Sequence, residues 1–291
     1  MLRIMVTPFI NNYEVVFYKL NSDLSADFSD ILTKISPNTI FLYMNYFGIP
    51  TLTVNQLRLL QKDFLDLIYI EDCTHDFLNR RKEDFIPDYL VCSVRKWLAI
   101  PDGGFLISKE KINFPKETDL FFSNLRLQAL KNKSKYLKNG MTDLKAQYRM
   151  ELAHATEYLD KSTKVVDISQ ESIELIMKID FDKIYNKRKE NAEILYKELN
   201  KVDNIRLLPL SSFNSTLYFP ILVNNRDIIQ KELAKQNIYC PVIWPLPDNQ
   251  VCKVSKEVAD HMLALPCDHR YHGFDMKHIS GVLKNILESL K

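Results

Sequence analysis

Leu67-Ile68-Tyr69-Ile70-Glu71-Asp72-Cys73-Thr74-His75 and Tyr89-Leu90-Val91-Cys92-Ser93-Val94-Arg95-Lys96 decide the reading of this chain. Each opens as a short apolar run, the pattern of a strand covered on both faces. Each closes on polar groups: Glu71, Asp72 and His75 in the first, Ser93, Arg95 and Lys96 in the second. These groups therefore fall at the carboxyl ends of strands, the edge of an open α/β sheet where loops converge on a crevice.

Working outward, Thr39 to Met44 and Gly104 to Ser108 read as further buried strands, and Val15 to Tyr18 as another. Thr53 to Phe64 has helical apolar spacing, and so does Asp27 to Ile35, which must end before Pro37. From about Thr118 to Leu199 the pattern is helical and rich in Lys, Glu and Leu. Leu217 to Val223 then reads as a strand, Arg226 to Lys235 as a helix, Ile238 to Ile243 as a strand containing Pro241, and Met276 to Leu290 as a closing helix. Strands alternating with helices predict an α/β class, with a large α/β domain over residues 1–170. A connecting helix and a small C-terminal α+β domain are expected over 171–291.

The 39 basic and 37 acidic residues are spread along the chain, giving a net charge of +2. That balance offers no electrostatic footprint for nucleic acid or an anionic membrane. Thr7, Pro8 and Asn11-Asn12 interrupt the apolar start, so neither a signal peptide nor a membrane span is expected. The five cysteines are odd in number and widely spaced, without a C-x-x-C pair; the reading is a cytoplasmic protein with reduced thiols.

A carboxylate and a lysine on loops after successive strands suit pyridoxal 5'-phosphate (PLP) chemistry. The amine forms an imine with the cofactor aldehyde, and the carboxylate pairs with the pyridine nitrogen so that the ring accepts electrons. Lys96 and Asp72 take these roles. Ser93 and Arg95 stand where they can bind the phosphate, His75 beside the ring, and Tyr46 along the crevice. Taken singly, Asp72 reads as a turn or cap residue, Lys96 as a solvated charge, and His75 and Ser93 as structural groups.

Asn45-Tyr46-Phe47-Gly48-Ile49-Pro50, Ile70 to His75 and Ser93 to Lys96 with Gly103-Gly104 resemble the DegT/DnrJ/StrS aminotransferases. Ile184 to Leu199 with Arg188 and Asn191, Tyr239 to Pro245, and Leu263 to Asp268 extend the resemblance along nearly the whole chain. It implies the PLP-dependent transferase fold (aspartate aminotransferase-like, fold type I): a three-layer sandwich with a small C-terminal domain. It also implies a homodimer that moves an amino group from a donor such as glutamate to a keto-sugar nucleotide for surface polysaccharides. By the same resemblance Lys96 is the Schiff-base lysine, Asp72 the ring-nitrogen partner, His75 a contact to the ring or its hydroxyl, and Ser93 a phosphate ligand.

The family's usual first segment, with its small-residue phosphate loop and stacking aromatic, has no match ahead of Met1 to Pro8. Three explanations stand: a truncated frame, replacement of those contacts by Arg95 and a partner subunit, or a degenerate homologue. Many sugar aminotransferases also place the serine further from the lysine than Ser93. A PLP lyase or dehydratase on the same fold and a catalytically silent relative are the rival readings. Arg270, in Cys267-Asp268-His269-Arg270-Tyr271-His272, is assigned to an anionic substrate group. The two histidines of that segment lack a second ligand pair, so no metal is expected. Trp97 and Trp244 read as packing residues, and Lys131 to Lys135 as a solvated run.

Overall fold

The computed structural model describes residues 13–80, 85–162, 164–208, 215–243, 246 and 252–290. In chain order these form α1 (Phe28–Lys34), β1 (Ile40–Met44), α2 (Val54–Asp63), β2 (Ile68–Asp72), β3 (Tyr89–Cys92), β4 (Phe105–Ser108), α3 (Leu120–Asn139) and α4 (Thr142–Lys161). There follow α5 (Gln170–Ile176), α6 (Phe181–Leu199), β5 (Ile205–Leu207), β6 (Phe219–Val223), α7 (Arg226–Lys235), α8 (Lys253–His261), β7 (Met262–Leu265) and α9 (Gly273–Ser289). The chain divides into two compact units, one of Met1–Ile86 with Phe181–Lys291 and the other of Pro87–Asp180.

In the first unit β1 and β2 are parallel, with Ile40 opposite Ile68 and Met44 opposite Asp72. Thr53 starts the crossover helix α2 with a reciprocal capping box to Gln56, satisfying orphan donors at both ends of the box. Leu57 and Leu60 of that helix pack with Ile31, Phe41, Tyr43, Leu67 and Tyr69. A second sheet runs β5-β6-β7, antiparallel throughout. Its faces follow the period of two: Phe219, Ile221, Val223, Leu263 and Leu265 join one cluster with α6, α7 and α9. Leu222, Met262 and Ala264 join another with Phe47, Ile49 and Val258. The second unit holds the antiparallel pair β3 and β4 and the helices α3, α4 and α5.

Three expectations are corrected. Val15 to Tyr18 is not a strand; Leu20 makes an isolated bridge to Ala26. Its neighbourhood spends its backbone groups on α1 instead: Lys34 Nζ donates to Phe17 O at 2.8 Å, Lys19 N to Asp30 Oδ2 at 2.9 Å, and Asp27 N to Lys19 O at 2.9 Å. Ile238 to Ile243 is not a strand either. Pro241 has no N–H to give, and the carbonyls are taken up by Gln230 Nε2 at 2.7 Å (Cys240 O) and Ala264 N at 3.3 Å (Pro241 O). The helical middle is broken at residues 162 and 164–169, where Thr118 and Asp167 form a parallel bridge. The expectations for Met1 to Pro8 and for Trp244 lie outside the described residues.

Candidate functional site

Parallel strands in register end at the same edge, so the loops after β1 and β2 meet. Asp72 is the last residue of β2 and 2% exposed, and its Oδ1 accepts from Thr74 N at 2.8 Å. Successive side chains of a strand point to opposite faces, and the acidic pair is divided accordingly. Glu71 accepts from Tyr43 Oη at 2.7 Å and lies 3.4 Å from Arg80 Nη1, which makes it a buried structural ion pair. Asp72 faces the other way.

His75 is 2% exposed; its Nδ1 accepts from Phe47 N at 3.2 Å, and the two rings lie 5.4 Å apart. Phe47 has φ 57° and Gly48 φ 78°. Left-handed backbone at a bulky residue costs on the order of 1–3 kcal/mol and persists where its surroundings over-determine it. Here they do. Thr216 Oγ1 donates to Phe47 O at 2.7 Å, and Asn45 Nδ2 to Asp76 Oδ2 at 2.8 Å. Asn79 Nδ2 donates to Asp76 Oδ1 and to Ser215 O, both at 2.7 Å. A Cβ on Gly48 would lie 2.8 Å from Asn79 Nδ2, so the turn needs glycine for room as well as for φ. Tyr46 begins this turn; burial raises its phenol pKa, with the charges of Tyr18 and Asp72 adding to the effect. It therefore stays protonated at neutral pH beside Asp72.

In the second unit β3 delivers Ser93 to a single tight turn, Val94–Lys96. Val94, Trp97, Leu98 and Ile100 are buried and anchor it, while Lys96 is exposed. Trp97 is thus a packing residue, as its sequence context suggests. The glycine pair closes the return to β4: a Cβ on Gly104 would stand 2.6 Å from Cys92 O. Its close backbone approach is to the chain itself. Asp102 beside it is buried and accepts from Ser169 N at 3.1 Å, Ser169 Oγ at 2.7 Å and Ser172 Oγ. Burial lowers the pKa of Arg95, with the Asp160 charge acting against it. Arg126, on α3, is pushed down to about 10 by burial and then by the like charge of Arg95. Arg126 Nε donates to Pro101 O at 2.6 Å, and its guanidinium lies 5.9 Å from the Phe122 ring centroid.

Arg270 lies in the turn after β7 and not in the Asp72–His75 junction. Its Nε and Nη2 grip Asp268 at 2.8 and 2.6 Å, and its guanidinium lies 5.9 Å from the Tyr271 ring centroid. Asn191 Nδ2 fans over the carbonyls of Cys267, Asp268 and Tyr271 at 3.3, 3.0 and 3.2 Å. Arg188, 3% exposed, donates to Thr216 O at 3.2 Å and Leu217 O at 3.0 Å. Cys267 Sγ, at the head of the Arg270 turn, donates to Thr216 O at 3.8 Å, so Thr216 joins that turn to the Phe47 turn. Among the described residues no cluster of His, Cys, Asp and Glu could hold a metal ion, and no helix is long and apolar enough to cross a membrane.

No protein-family model matches the chain, and no curated protein matches it. Solved structures do. A DegT DnrJ EryC1 StrS aminotransferase from Brucella abortus is 15% identical, with TM-score 0.61 over 96% of this chain and 74% of its own. Helicobacter pylori PseC, an aminotransferase involved in the biosynthesis of pseudoaminic acid, is 17% identical, with TM-score 0.64 over 97% and 76%. S. venezuelae DesV, solved in complex with a ketimine intermediate, is 14% identical, with TM-score 0.64 over 98% and 75%. The chain has the fold of these aminotransferases, the type I fold expected from its sequence.

Proposed function

We propose that the chain is a PLP-dependent aminotransferase of the DegT/DnrJ/StrS kind, acting as a homodimer on a keto-sugar nucleotide with an amino acid such as glutamate as donor. The observation that carries this reading is the pairing of polar groups with strand ends on a shared fold. A buried Asp72 with His75 ends β2, and an exposed Lys96 stands on an apolar-anchored turn after β3. Each unit carries groups of the kind the cofactor uses: a buried carboxylate and an imidazole in the first, Asp72 and His75, and a primary amine and a guanidinium in the second, Lys96 and Arg95.

PLP, when bound, supplies an aldehyde that condenses with amines and a ring that withdraws electrons from the bond being broken. Asp72 would hold a proton on the ring nitrogen, since a carboxylate away from solvent favours a cationic partner. Lys96 Nζ would be the nucleophile and then the base and acid that carries the proton between substrate and cofactor carbons. Ser93 and Arg95 would bind the phosphate. His75 and Tyr46 would line the ring, and Arg270 would meet an anionic group of the substrate.

The test is trapping. Protein incubated with PLP is expected to show a visible absorption band that borohydride fixes covalently on the Lys96 peptide, and Lys96→Ala is expected to lose it. A folded protein without the band refutes the reading and favours a silent relative. Conversion of the bound cofactor to its amine form by glutamate separates transamination from elimination or decarboxylation.

A further inference from the structure

We propose that Thr216 is a positioning residue that fixes the tautomer of His75 through the backbone of Phe47, leaving Nε2 as the N–H of the ring. The proposal rests on the reading of His75 as a ring contact, and it is carried by a continuous series of bonds. Arg188 Nη1, on α6, donates to Thr216 O at 3.2 Å and Leu217 O at 3.0 Å, holding that segment in place. Thr216 Oγ1 lies 2.7 Å from Phe47 O and 2.6 Å from Tyr218 O, with one proton to share between them. Phe47, held at φ 57°, aims its N–H at His75 Nδ1, 3.2 Å away.

A backbone N–H can only donate. The nitrogen that receives it presents a lone pair, so the proton of the neutral imidazole resides on Nε2. A ligand that meets Nε2 meets a donor, so it must present an acceptor lone pair there. The geometry of Phe47 is not intrinsic to a phenylalanine; it is imposed from a loop far along the chain. The Phe47 ring packs with Leu222, Val258, Met262 and Ala264 of the second sheet's neighbourhood, so the tautomer of a residue after β2 is set by the C-terminal part of the same unit.

The experiment reads the tautomer directly, from two-bond proton–nitrogen correlations of protein labelled with 15N-histidine, with His75 assigned by its disappearance in His75→Gln. The wild type is expected to favour Nε2–H about fivefold more than a free imidazole does, the factor that one hydrogen bond of about 1 kcal/mol net strength sustains. Thr216→Val is expected to bring the ratio down to that of a free imidazole, and Thr216→Ser, which keeps the hydroxyl, to restore the added preference. A wild-type ring protonated on Nδ1 overturns the proposal regardless of the variants, and so does a folded Thr216→Val protein with an unchanged His75 pattern. Because the spectrum is read without PLP, loss of Lys96 trapping with the tautomer intact refutes the cofactor reading and leaves the positioning network standing.

Discussion

Replacing Gly104 with alanine would place a methyl carbon 2.6 Å from Cys92 O, 3.7 Å from its carbonyl carbon and 4.0 Å from Ser93 Cα. The shortest carbon–oxygen contacts tolerated between strands are about 3.3 Å, so one side must retreat by roughly 0.7 Å. The obstacle is backbone, and it is held: Cys92 is paired with Phe105 and Val91 with Leu106 in the β3–β4 ladder. Overpacking of this kind costs about 1–3 kcal/mol. At about 2 kcal/mol the folded-to-unfolded ratio drops roughly 30-fold, a large share of a typical domain's stability. With a urea m-value near 2 kcal/mol/M, the midpoint falls by about 1 M.

Gly281→Ala is the internal control. It lies in α9, and a Cβ there meets nothing within 4 Å. Alanine is the better helix former, so a gain of about 0.5–1 kcal/mol is expected. Circular dichroism across a urea series measures both shifts. Cys92 leads directly into Ser93 and the lysine turn, so Gly104→Ala is also expected to slow borohydride trapping on Lys96 in conditions where the protein remains folded. Equal midpoints for Gly104→Ala and wild type would refute the account of the close approach.

Burial works to raise the Asp268 pKa, but the Arg270 hydrogen bonds and charge outweigh it and hold the carboxyl below its ordinary value. A depressed folded-state pKa contributes stability that is present above about 4 and is lost as pH falls through the folded value. Asp268→Asn is therefore expected to lower Tm at pH 7 and to flatten its dependence on pH at the acid end; superimposable Tm–pH curves would disprove the pair's contribution. Cys240 and Cys267 are pushed up to about 12 by burial. For Cys252 burial acts upward, but bonds from Ser255 and nearby backbone N–H groups bring its thiol below the ordinary value. A disulfide exchange reagent at pH 8 should titrate Cys252 first and reach Cys240 and Cys267 on unfolding, and fast reaction of Cys267 in native protein would contradict its burial.

Much of the candidate site was legible because its signals are local. A run such as Leu67-Ile68-Tyr69-Ile70 is apolar enough to demand a buried strand, and the polar residues after it can only fall at the strand's end. The same reasoning located Ser93 to Lys96 and the glycine pair. It failed at Val15 to Tyr18 and at Ile238 to Ile243, where apolar composition is right but the hydrogen-bonding partner is not a strand. Lys34, Gln230 and Ala264 satisfy those backbones instead. No window of sequence contains that choice.

By itself the sequence determined that β1 to β4 and β6 form and which polar residues fall at the ends of β2 and β3. Tertiary structure decided how the groups within each unit are held. Glu71 and Asp72 are chemically near-equivalent in sequence, and the period of the strand in its sheet assigns one to Tyr43 and Arg80 and the other to the opposite face. Phe47 adopts a left-handed turn because Thr216 and His75, remote from it in the chain, bond its carbonyl and its N–H. Hydrophobic periodicity is a short-range property, readable along the chain. The tautomer of an imidazole or the partner of a buried carboxylate depends on atoms that only folding brings within hydrogen-bonding distance.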